Sequence, residues 1–181
     1  MPVNHQEFHF ALGEPGRAVA TYTVDGEVAE FELSNVCNPL GDMLCALAQM
    51  LTNPSHLWEG AATAAFVWYA EQESYNWTLA VDKDENLTVR VTQSCEFFGD
   101  DEVELVSCRC RVEDFVLCIV RGLDPFIKKM GLLNYFQQWQ TAEFPITYLL
   151  ILKRHLVERG LWGAEGDDAV NLASEISLLL R

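Results

Sequence analysis

The stretch Ala18-Val19-Ala20-Thr21-Tyr22-Thr23-Val24-Asp25-Gly26-Glu27-Val28-Ala29-Glu30-Phe31-Glu32-Leu33-Ser34 decides the fold class. Asp25-Gly26 is a hairpin signal, because a two-residue type I′ turn needs positive φ at both central positions. Such a turn pairs Val24 with Glu27, Tyr22 with Ala29, Ala20 with Phe31 and Ala18 with Leu33. Side chains alternate across a strand, so one face of the hairpin is mostly apolar. The other carries Val19, Thr21, Thr23, Val28, Glu30 and Glu32.

The same alternation extends outward in both directions. Before the hairpin, Phe8, Phe10 and Leu12 alternate with Glu7 and His9 and predict a strand, broken by Gly13-Glu14-Pro15-Gly16. After it, Asn38-Pro39 opens a helix. Asn caps free N–H groups and Pro loses nothing at the first helical position. Leu40, Met43, Leu44, Leu47 and Leu51 form its apolar stripe, and Asn53-Pro54 is expected to stop it. Four more strands follow. They are centred on Phe66 to Ala70, on Tyr75-Trp77-Leu79-Val81, on Leu87-Val89-Val91 and on Val103 to Val112. Short polar turns between them point to an antiparallel meander.

Residues 111–181 read as helices. Phe115, Ile119, Leu123, Phe126, Ile127 and Met130 share a stripe, and Pro125 is expected to divide that helix near Leu123-Asp124. Gly131 is expected to close it in the left-handed conformation. Tyr135, Phe136 and Trp139 follow. Pro145 starts a helix with the stripe Ile146, Leu149, Leu150, Lys153, Leu156 and Val157. Gly160 ends it, and Asp167 or Asp168 is expected to cap a last helix. The expected fold is therefore α+β, one domain over residues 1–181, with 160–166 as a short linker. One antiparallel sheet of six or seven strands, with one inserted helix, would be covered on one face by the helical C-terminal half.

Charge divides along the same line. Residues 1–110 hold 18 Asp/Glu against 4 Lys/Arg, and residues 111–181 hold 9 against 8, within a net charge of −15. An acidic surface of this kind repels nucleic acid and anionic membrane and attracts basic proteins. Phosphate binding needs a clustered positive footprint, and Lys128-Lys129 is an isolated pair. No run approaches the ~20 apolar residues of a membrane span. The N-terminus has no basic start followed by an apolar run, so the expected location is cytoplasmic. There the six cysteines are expected to be buried, reduced thiols.

Catalytic signals are weak. His5, Glu7 and His9 fall on one strand face, but a strand spreads them by ~7 Å per step, and an exposed polar face is the expected reading. Cys108 and Cys110 form Cys-x-Cys, without zinc-knuckle spacing. Nothing places a His beside either thiol. No Gly-rich nucleotide fingerprint appears. The reading is of no metal, no cofactor and no catalytic residue.

The most unusual run is Trp68-Tyr69-Ala70-Glu71-Gln72-Glu73-Ser74-Tyr75-Asn76-Trp77. Trp and Tyr offer large area with a polar handle and concentrate at interfaces. This run, its following strands, and Leu132-Leu133-Asn134-Tyr135 to Trp139 with Phe144-Pro145 and a leucine-rich helix are similar to a pattern in small bacterial proteins of uncharacterised function. The resemblance covers about residues 27–157 and implies no activity. Some small acidic bacterial proteins act as immunity proteins, and by that analogy the chain resembles an inhibitor of a basic toxin or nuclease. The expected function is thus non-enzymatic binding of a basic protein. Glu30, Glu32, Glu71, Glu73, Asp100, Asp101, Glu102 and Glu104 are the candidate contacts. The alternative is a small-molecule or enzymatic pocket between sheet and helices, lined by Trp68, Trp77, Tyr135 and Trp139. The oligomeric state is not readable from the sequence.

Overall fold

The computed structural model describes residues 5–52, 62–95, 102–163 and 171–181. The chain runs β1 (Gln6–Leu12), β2 (Arg17–Val24), β3 (Glu27–Ser34), α1 (Pro39–Thr52), β4 (Ala62–Tyr69), β5 (Ser74–Val81), β6 (Asn86–Ser94) and β7 (Glu102–Arg111). Then come α2 (Val112–Met130), α3 (Leu132–Trp139), α4 (Ile146–Glu158) and α5 (Leu172–Leu180). The class is α+β. The hairpin register is the one that the Asp25-Gly26 turn dictates, Val24 opposite Glu27 through Ala18 opposite Leu33. Asp25 and Gly26 hold φ of 51° and 92°, as a type I′ turn requires.

The seven strands do not form one sheet. They form two antiparallel sheets, β1-β2-β3 and β4-β5-β6-β7. The reason lies in what each sheet buries. Phe31 on β3 meets Trp68, Tyr75 and Trp77 at ring-centroid distances of 5.5, 5.1 and 5.3 Å. Tyr22 on β2 meets Trp77 at 6.1 Å. The apolar faces of the two sheets are therefore buried against each other. Their outer faces, with His9 and Glu30 on one and Thr78, Thr88 and Arg90 on the other, stay exposed. Alternation of apolar and polar residues is the same for one long sheet or two facing ones, so the pattern alone does not separate them.

The helices correspondingly do not cover one sheet face, because that face is taken by the other sheet. Helix α1 packs on β4 and α4, and α2 lies along β1. Asn38 caps α1 by accepting the Gly41 N–H at 3.1 Å. Helix α2 runs through Pro125 as one helix, where a division was expected. Leu123, Asp124 and Ile127 around it are all buried, and that packing outweighs the ~3 kcal/mol that an interior proline costs. Asp124 is held by Lys153 of α4 and Lys128, each at 2.7 Å. Lys153 also donates to the Leu179 carbonyl of α5 at 3.2 Å. Gly131 closes α2 at positive φ, 79°, but with ψ 149° rather than the left-handed helical value. The last helix is capped by Asn171, whose side chain accepts the Ser174 N–H at 3.0 Å. The expected caps Asp167 and Asp168 lie outside the described residues, as do Asn53 and Pro54 and the end of the 160–166 linker.

One close approach fixes α2 on the first sheet. In the hairpin register, Tyr22 spends its backbone groups on β3. Its other neighbour Phe8 therefore turns its own N–H and C=O away from β2. They face α2 at Gly122, where a Cβ atom would stand 2.1 Å from the Phe8 carbonyl oxygen. No side chain fits there without moving the helix from the strand. Gly122→Ala is expected to destabilise the protein by about 1–3 kcal/mol or more, measured by urea unfolding. Gly163→Ala, where no atom of the described residues lies within 4 Å, is expected to be nearly neutral.

Candidate functional site

The acidic candidates gather at one end of the molecule, where β3 passes the β4–β5 turn. Glu32 and Ser34 from β3, Arg17 from β2, and Glu71 and Glu73 from the turn line a cleft of about 280 Å³. Tyr75 ties the two sheets together there. Its hydroxyl accepts the Glu32 backbone N–H at 3.3 Å and donates to the Glu73 carboxylate at 3.0 Å. Burial, then the bond to Glu73, pushes the Tyr75 pKa up to about 12, so the phenol stays neutral and keeps its proton for Glu73. Arg17 pairs with Glu71 at 2.5 Å. Glu30, Glu32 and Glu73 make no ion pair among the described residues.

The remaining candidates divide. Glu102 stands opposite Ser94, and Ser94 opposite Ser74, so Glu102 and Glu73 share one end of the second sheet, two strands apart. Glu104 lies beyond it and is bound to Arg90 at 2.7 Å. Asp100 and Asp101 lie outside the described residues. The structure thus brings Glu32, Glu71 and Glu73 together, puts Glu30 two residues away on β3, and sets Glu102 and Glu104 on the far strand.

The opposite end of the second sheet is also acidic, but three of its carboxylates are compensated. Asp82 is bound by Arg109, Glu85 by Arg159 at 3.2 Å, and Glu113 by Arg111 and Arg159 at 3.5 and 3.4 Å. The Asp82 carboxyl is held below its ordinary range, first by the Asn86 backbone N–H.

The four aromatic candidates line no common pocket. Trp68, Trp77, Tyr135 and Trp139 are all buried, at 0–1% exposure. Trp68 and Trp77 pack on each other at 4.7 Å, and the Trp68 indole N–H donates to the Pro39 carbonyl at 2.9 Å. Tyr135 packs elsewhere, against Phe126 and Phe144. A different cleft, of about 410 Å³, does lie between β1 and α2, lined by His5, Glu7, His9, Asp114, Cys118 and Arg121. Glu7 stands between the two imidazoles at 3.6 and 3.7 Å. Among the described residues no three His, Cys, Asp or Glu side chains are placed to hold a metal ion.

The cysteines are all unpaired, but only Cys118 is fully buried. Cys95 is exposed and the other four are half-buried, which corrects the expectation of six buried thiols. Strand alternation assigns a face but not how deep that face lies. Cys108 sits 3.6 Å from the Tyr22 hydroxyl. The neighbouring Cys110 thiol lowers the Cys108 pKa to about 7. Burial pushes Cys118 up to about 12.

Sequence reasoning missed Arg17 and the Tyr75 hydroxyl as parts of the acidic cleft, since neither has a local motif. It also missed the Asp124–Lys153 pair, although Lys153 stood visibly within an apolar helical stripe. Comparison of the chain with protein-family models, with curated proteins and with solved structures finds no match.

At the end that holds Glu85 and Glu113, the His155 Nε2 is buried without a hydrogen-bond partner among the described residues. Burial, then Arg159, lowers its pKa below 6.5, against the opposing pull of Glu113, Glu158 and Glu85. The folded state therefore binds fewer protons than the unfolded chain just below pH 6.5. Stability from this group is complete above that pH and lost as pH falls. Between about pH 7.5 and pH 5, His155→Leu is expected to lose less unfolding free energy than the native protein, as read by urea titration at each pH.

Proposed function

We propose that this chain is a non-enzymatic binding protein that recognises a basic protein through the acidic end formed by β3 and the β4–β5 turn. One observation carries the reading, the contrast between the two ends. At the β5–β6 turn Asp82 and Glu85 are each matched by an arginine, and Asp84 alone of its three carboxylates makes no ion pair among the described residues. Among the described residues Glu30, Glu32 and Glu73 are left without one. Uncompensated charge on one side steers an oppositely charged partner and raises the encounter rate. The concrete form is an inhibitor that occludes the working face of a basic toxin or nuclease, in the manner of immunity proteins. Glu30, Glu32 and Glu73 are the contacts that matter most in this reading, and Glu71, paired with Arg17, stands beside them. Glu102 extends the rim.

Capture on a panel of basic toxins and nucleases tests it. The native protein is expected to be retained at low ionic strength. Release is expected near ~1 M salt, where the Debye length is about 3 Å. Replacing Glu30, Glu32 and Glu73 together by Gln is expected to slow association about tenfold. Neutralising Asp82 and Glu85 is expected to change it far less, because their fields are already cancelled. Capture that ignores both salt and the triple substitution contradicts the proposal.

A further inference from the structure

The backbone of β3 supplies a recognition element that charge alone does not. In the Asp25-Gly26 hairpin, residues 27, 29, 31 and 33 turn their N–H and C=O groups toward β2, so Val28, Glu30 and Glu32 turn theirs away. Three bonds agree with this phase. The Asp25 N–H reaches the carbonyl of His5, just before β1 on the other side, the Asn35 N–H reaches the Gly16 carbonyl, and the Glu32 N–H leaves the sheet for the Tyr75 hydroxyl. β1, at the opposite edge of this sheet, has its outward backbone covered by α2 at Gly122. β3 pairs with β2 alone. Among the described residues, the N–H and C=O groups of Val28 and Glu30 have no backbone partner, and Val28 is 64% exposed.

Open edges are hazards that proteins guard with lysine, proline or a bulge. Residues Glu27 to Ser34 contain neither Lys nor Pro, and the β2–β3 register is unbroken. The guard is negative charge, on Glu27, Glu30 and Glu32. That guard is selective. A second copy of this chain, net −15, would set these carboxylates about 4.8 Å from their own counterparts, and like charges at strand spacing repel. A strand with Lys or Arg at alternate positions meets the opposite field.

We propose that β3 is a docking edge, and that its occupant is an extended basic segment of the partner, added to the first sheet as a fourth strand beside Glu27 to Phe31. Main-chain bonds to Val28 and Glu30 supply the pairing, and cross-strand contacts to Glu30 and Glu32 supply the choice of partner. This rests on the proposed recognition of a basic protein and adds the way in which it is bound.

The test uses the full chain and two synthetic peptides. One is Lys-Val-Lys-Thr-Lys-Val-Lys-Thr. The other has the same sequence with alternate amides N-methylated along the edge that would pair, so its charge is unchanged and its ladder is blocked. At low ionic strength the first peptide is expected to bind, with its largest amide shifts at Val28 and Glu30, and the second to bind at least about tenfold more weakly. Val28→Pro removes an outward N–H that the hairpin does not use, and is expected to weaken the first peptide selectively. Equal binding of the two peptides overturns strand addition while leaving the acidic surface as a binding face. Failure of both to bind overturns the basic-partner reading and this proposal with it. Shifts at Val28 and Glu30 that grow with protein concentration alone assign the edge to a second copy, and also overturn it.

Discussion

The seam between the two sheets is the constraint on which the rest of the molecule depends. Phe31 and Tyr22 from one side, and Trp68, Tyr75 and Trp77 from the other, bury their rings against one another. Each aromatic side chain removes ~150–250 Å² from water, and tilted or edge-on pairs add to that burial. Once both apolar faces are used this way, no face remains for the helices to cover. They settle instead on β1, on β4 and on each other. The seam also decides which backbone edges need protection, because two sheets have four edges where one has two.

Those edges are treated differently. Helix α2 closes the β1 edge so tightly that only glycine fits at 122. Tyr75 and the β4–β5 turn cover the far end of β3, and the same hydroxyl positions Glu73 beside Glu32. The middle of β3 is left to its carboxylates. The acidic cleft and the open edge thus follow from the one decision to stack the sheets, and the charge imbalance of the sequence acquires a place. Its compensated carboxylates Asp82, Glu85 and Glu113 surround the β5–β6 turn, and Glu30, Glu32 and Glu73 rim β3 and the β4–β5 turn without an ion pair among the described residues.

Much of this is legible in the amino-acid sequence. The hairpin register, the cap at Asn38 and the helical character of the second half follow from local chemistry, which acts between residues close in sequence. What was not legible depends on partners distant in sequence. Whether β3 joins β4 by its edge or by its face is decided by ring packing between Phe31 and residues some forty positions later. Pro125 passes inside α2 because buried neighbours hold both sides of it, and propensity does not count neighbours. Trp68 and Trp77, candidates for lining a pocket, are instead packed on each other in the seam. Tyr135 packs on Phe126 and Phe144 rather than on them; apolar stripes show that a side chain is buried but not with which others. Lys153 is the clearest missed signal, since a cation on an apolar stripe calls for a buried anion, and Asp124 lies beside Leu123 and Ile127 of the preceding helix's stripe.

Residue-by-residue amide hydrogen exchange along β3 in the free protein tests the central claim most directly. Two stacked sheets with an open β3 edge predict alternation, with Ala29, Phe31 and Leu33 slow and Val28 and Glu30 exchanging nearly as fast as an unstructured chain. Protection of Val28 and Glu30 equal to that of Ala29 and Phe31 would mean that β3 is paired on both sides, and would contradict the account.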